Sequence, residues 1–146
     1  MPRAIAQTVN VPFDGTLNSS CTLSVDFWGT LGQLEGDPGV YAYMDSFAGS
    51  PGVVVVNCTG DALVSIADPI PMAEPPGMPA GTIYSASVGS VSIGGTPLTP
   101  ADPPTLVTPA LSEFFYVDMS VYSGAPAVSL PDGPYAYEVP LTVTGN

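Results

Sequence analysis

The side chains that could do chemistry here are thirteen carboxylates, two cysteines and one arginine; the 146 residues include no lysine and no histidine. Without histidine there is no Ser-His or Cys-His nucleophile pair and no imidazole metal ligand. Without lysine there is no Schiff base and no phosphate-binding P-loop lysine. Two cysteines supply only half of a structural zinc site. Carboxylate chemistry remains, and among thirteen acids some close pair is expected by chance, so an acid-pair hydrolase carries little weight. No enzyme and no cofactor is expected. Asp61, Asp68, Glu74 and Asp132-Gly133 could be read as calcium ligands. There is no Asp-x-Asp/Asn-x-Asp/Asn-Gly loop, however, so they read as solvated turn carboxylates. Trp28 and the tyrosines could stack on sugars, but a lone Trp beside glycine in a strand reads as core.

The elements that must position these groups are short strands. Eighteen prolines and sixteen glycines punctuate a chain that is 45% hydrophobic and rich in Val and Thr. No apolar run approaches the roughly 20 residues of a membrane-spanning helix. A net charge of -12 repels nucleic-acid backbones and anionic membranes, so neither is expected as a partner. The length fits one all-β domain, with no internal repeat.

Ile5, Val9, Val11 and Phe13 alternate along one face of the first segment, with Gln7 as a polar exception. Pro12 lacks an amide donor and predicts an edge position. Thr16 to Val25 alternates again, with Leu17, Cys21, Leu23 and Val25 on one face. Phe27 to Gly32 predicts a short aromatic strand, and Val40 to Phe47 another. Val53 to Cys58 is the most β-branched run and predicts a central strand buried on both faces. Ala62 to Ala67 and Thr82 to Ile93 follow as strands. Prolines predict that residues 69–81 are an extended loop outside any ladder; 97–109 is a second Pro-rich stretch. Leu111 to Tyr122 and Ala136 to Thr144 close the chain, the latter with Tyr137, Val139, Leu141 and Val143 on one face. About eight strands so spaced predict a β-sandwich.

Cys21 and Cys58 each fall in a predicted strand. They are either a disulfide or two buried thiols. The acidic, Lys-free, Thr/Gly/Pro-rich composition favours the disulfide and an oxidising exterior. Such a bridge closes a loop of roughly 40 residues, worth about 4 kcal/mol in the loop-entropy model. Met1-Pro2-Arg3 is not followed by the apolar core of a signal peptide, whereas Ala4-Ile5-Ala6 resembles a small-x-small cleavage site. Two sequons, at Asn18 and Asn57, are assigned no glycan.

The order of these features resembles the spore coat protein U family and the related pilins of archaic chaperone–usher pili. The resemblance is carried by the alternating N-terminal segment before Cys21, by Phe27-Trp28-Gly29-Thr30-Leu31-Gly32, and by Val53-Val54-Val55-Val56-Asn57-Cys58-Thr59. Phe114-Phe115-Tyr116-Val117-Asp118-Met119 and the closing strand from Gly133-Pro134-Tyr135 to Thr144 complete it. It implies an immunoglobulin-like sandwich that lacks its last strand, completed by the N-terminal donor strand of a neighbouring subunit. Residues 1–14 would be the donor extension and 15–146 the pilin domain. Ile5, Gln7, Val9, Val11 and Phe13 would be the residues entering the neighbour's groove. The implied product is an extracellular, cell-surface filament of identical subunits joined head to tail, exported by a periplasmic chaperone and an usher. The competing expectation is a secreted, monomeric β-sandwich module that binds sugar or calcium.

Overall fold

The computed structural model describes residues 7, 8, 10, 13, 19–34, 39–124 and 126–146. Among them there are eleven strands and no helix: β1 (Cys21–Phe27), β2 (Thr30–Leu34), β3 (Tyr43–Ser50), β4 (Gly52–Cys58), β5 (Ala62–Ile66), β6 (Ile70–Ala73), β7 (Ile83–Gly89), β8 (Thr105–Val107), β9 (Glu113–Tyr122), β10 (Ala136–Glu138) and β11 (Leu141–Gly145). Every pairing is antiparallel. One sheet runs β1-β4-β9-β3-β2 with β7 also on β9; a second runs β11-β5-β8; β10 and β6 form a small third ladder.

Several of these strands are halves of longer ones. β3 and β4 both lie against β9, where residues 46–51 stand opposite only residues 118 and 119. β1 and β2 follow the same broken line along β4 and β3. The two breaks nest. Thr30 and Ser50 hydroxyls are 2.8 Å apart, the Asp45 carboxylate accepts the Ala48 amide at 2.8 Å, and Ser46 Oγ donates to Asp118 at 2.6 Å. A side chain on Gly49 would overlap the Thr30 carbonyl, so glycine is required where the breaks cross. Likewise β5–β6 and β10–β11 run side by side, bridged between their halves by the Ala67 amide donating to the Pro140 carbonyl at 2.9 Å.

The two larger sheets face each other across a single core. Val56, Phe115, Ala86 and Val88 project from one, and Ala62, Val64, Ile66, Val107 and Val143 from the other. Each fully buried Val or Phe contributes roughly 1.5–3 kcal/mol. The chain is thus all-β with the layered packing of a β-sandwich.

The structure corrects several expectations. Residues 70–73 do enter a ladder: Pro71 registers with Tyr137, which an unflanked two-stranded ribbon tolerates because one side of each strand needs no partner. β4 is central in its sheet, but only one of its faces is covered; Val53 and Val55 are half-buried on the other. Trp28 is 87% exposed, because it sits at the break between β1 and β2. The Thr82–Ile93 run ends as strand at Gly89, and the closing strand breaks at Val139-Pro140, where proline interrupts the ladder.

Candidate functional site

Cys21 and Cys58 form a disulfide and are direct partners in the β1–β4 register, Cα to Cα 4.1 Å. This bridge holds β1, the outermost strand, to its sheet. Directly opposed residues on antiparallel strands project to the same face. Leu23 pairs with Val56 and Val25 with Val54, so both point into the space between the sheets. Yet Leu23 is 42% and Val25 62% exposed. The described residues leave a large part of each uncovered.

The reason is on the opposite layer. β11 borders the second sheet and pairs only with β5 among the described residues. Its inward residues, Leu141 and Val143, oppose Ile66 and Val64 and pack on the core. β1 and β11 therefore flank an open seam with apolar walls and an unpaired strand edge on each side. One end of the seam is laced shut. The Ser19 hydroxyl donates to the Asp61 carbonyl at 2.8 Å and also reaches the Asn146 carbonyl, while the Thr59 amide, donating to the Ser20 carbonyl at 2.9 Å, carries the β1–β4 pairing one bond past the disulfide.

Of the residues expected to enter a groove, Gln7 and Phe13 are described; both are exposed, Phe13 at 92%, and neither lies in a strand. Ile5, Val9 and Val11, like Arg3, lie outside the described residues. The part played by Leu23 and Val25 is not marked in their alternation, which reads as ordinary core. Their exposure depends on which strand comes to lie beside them, a long-range matter.

Several of the described carboxylates hold the fold together. Glu74 Oε2 accepts the phenols of Tyr84 and Tyr137, each at 2.7 Å, tying the β6–β10 ribbon to β7. Glu74 is therefore not a solvated turn residue. Burial, with the neighbouring Glu74 carboxylate, raises both phenols, Tyr84 to about 12, so neither is a nucleophile near neutrality. Asp61 accepts the Thr108 hydroxyl at 2.8 Å. Glu113, 7% exposed, is pushed up by burial. The opposing hydrogen bonds from the Ser92 and Ser90 hydroxyls and the Ala110 and Ser92 amides prevail and lower its pKa. Among the described residues no group of three or more His, Cys, Asp or Glu could hold a metal ion. No helix of the described residues is long and apolar enough to cross a membrane. No protein-family model, curated protein or solved structure matches this chain.

Proposed function

We propose that the protein is the structural subunit of an extracellular filament, polymerising head to tail by donor-strand complementation. The observation that carries this is the seam. Leu23 and Val25 face the core while remaining 42% and 62% exposed, beside a β11 edge with no second ladder partner among the described residues. An extended segment with apolar residues at every second position would cover both and extend the β11 ladder. The strand order supports the same reading. β1-β4-β9-β7 facing β8-β5-β11 is the arrangement of an immunoglobulin-like sandwich with one strand still to be added beside β11. The donor would be the segment Ile5 to Phe13 of a neighbouring copy, and Phe13 already stands clear of its own domain at 92% exposure. The disulfide fits secretion to an oxidising compartment, where a periplasmic chaperone and usher would handle the subunit.

Gel filtration and negative-stain microscopy of the full chain, a form lacking residues 1–13, and Phe13→Asp test this. Filaments in the first and none in the other two are expected, because a charge carried into the seam costs several kcal/mol. A folded monomer in all three would favour the secreted binding module, for which the exposed Trp28 is the supporting feature. Normal filaments from Phe13→Asp would refute the donor register.

A further inference from the structure

Gln7 is the one polar residue on the apolar face of the N-terminal segment, and the β1 wall of the seam has one polar step of its own. Along that wall the residues facing the second sheet recur at every second position: Ser19, Cys21, Leu23 and Val25. Ser19 belongs to the series because its hydroxyl reaches across to the Asp61 and Asn146 carbonyls, which adjoin β5 and β11. The wall therefore reads polar, apolar, apolar, apolar. Gln7, Val9, Val11 and Phe13 read the same way. Successive residues on one face of any strand are roughly 6.8 Å apart, so one matched pair fixes the other three.

A single register and direction satisfies all four. Sliding the incoming strand by one pair sets Val9 against the Ser19 cluster, or Gln7 against the Cys21–Cys58 bridge. Reversing it sets Phe13 on the Ser19 cluster and Gln7 beside Val25. Each alternative buries a polar group without a partner. The shape of the seam selects the same direction. Cys21 is half-buried, Leu23 42% exposed and Val25 62% exposed, so the seam widens away from Ser19. The donor's own domain follows Phe13 in the chain and has room only at the wide end, where this register puts Phe13.

The narrow end is short of protons. The Ser19 hydroxyl carries one and faces two carbonyls; the Asn146 amide supplies another, to the Asp61 carbonyl at 3.0 Å. Three oxygens thus share two protons, and each oxygen can accept more than one bond. A side-chain amide brings two further donors. We propose, building on the filament reading, that Gln7 sets the register of the donor strand, its amide bonding to the Ser19–Asn146 cluster of the neighbouring copy. The cluster also closes the seam, so the chain turns away before Ile5. The segment that enters the groove is Gln7 to Phe13, one residue pair shorter than the alternation by itself suggests.

A dye-labelled synthetic peptide of residues 4–14, titrated with the full chain carrying Phe13→Asp, tests this by fluorescence anisotropy. Gln7→Val in the peptide is expected to weaken binding about tenfold, although it makes the face uniformly apolar. Ile5→Asp in the peptide is expected to leave the affinity unchanged. On an acceptor that also carries Ser19→Ala, the wild-type and Gln7→Val peptides should bind alike. That last comparison is made on one and the same acceptor, so a general loss of its stability does not imitate the result. A Gln7→Val peptide that binds as tightly as wild type or tighter overturns the register, as does an Ile5→Asp peptide that fails to bind. A penalty for Gln7→Val that persists undiminished on Ser19→Ala also overturns it. In those three cases the donor strand itself stands. Absence of binding by every peptide would refute the donor strand, and this register with it.

Discussion

Leu23 and Val56 stand directly opposite each other on the core-facing side of β1 and β4, and one is 42% exposed while the other is sealed. The difference lies wholly in what the second sheet offers above them. Val25, two pairs further along and next on the same face, is more open still. Val25→Asp is therefore expected to cost the free subunit under about 1 kcal/mol, as at other exposed positions. It should nevertheless abolish acceptance of a donor strand. Mixed with wild type, the variant would still donate its own extension and so cap one end of each filament. Thermal melts and filament lengths by negative stain check this; unaltered lengths would place the acceptor elsewhere.

Cys58→Ser removes the bond that anchors β1 at its first residue. A loss of roughly 2–5 kcal/mol is expected from urea denaturation. Assembly should fail together with stability, because one wall of the seam is then held by a single ladder.

The Glu74 clamp predicts a weakness in alkali. Both phenols are raised in the folded state above their ordinary 10.0. Their contribution is complete below pH 10 and is lost as pH climbs from there, for Tyr84 through about 12. Melting temperature measured from pH 8 to 12 should fall across that window. Tyr84→Phe should start lower and fall less steeply.

Glu113 acts at the other end of the scale. Its pKa is lowered in the folded state, so its contribution is present above the ordinary glutamate value of 4.5 and disappears as pH drops below it. Glu113→Gln should flatten the acid limb of a stability–pH curve and leave the alkaline limb as it was. An unchanged acid limb would mean that the hydrogen bonds from Ser92 and Ala110 do not favour the ionised form.

Alternation makes the ladders legible where a strand has one wet and one dry face. It places Leu23 and Val25 with Cys21, and Leu141 with Val143, on the sides they occupy. The β-branched run Val53–Val56 likewise declares a central strand, because only a paired backbone accommodates it. Proline misleads at Ile70–Ala73, since a missing donor forbids pairing on one side only. The four consecutive valines imply two covered faces, but apolar identity cannot distinguish a face buried in the monomer from one left bare. Trp28 defeats the expectation of core because it falls in the gap between β1 and β2, outside both strands. The seam is the least legible feature, because it is made by two strands more than a hundred residues apart in the chain, and their juxtaposition leaves no local mark.

The disulfide at the first residue of β1 also decides how the domain bears load. A pull applied to the chain at Ser19 reaches Cys21 two residues later and crosses the sulfur bridge into Cys58. Cys58 ends β4, which is flanked by ladders to both β1 and β9. Tension therefore bypasses β1, whose hydrogen bonds would otherwise open one after another like a zip. It arrives instead at the end of a strand held by a ladder on each side. A covalent link at the first residue of the edge strand hands the load to two ladders instead of one.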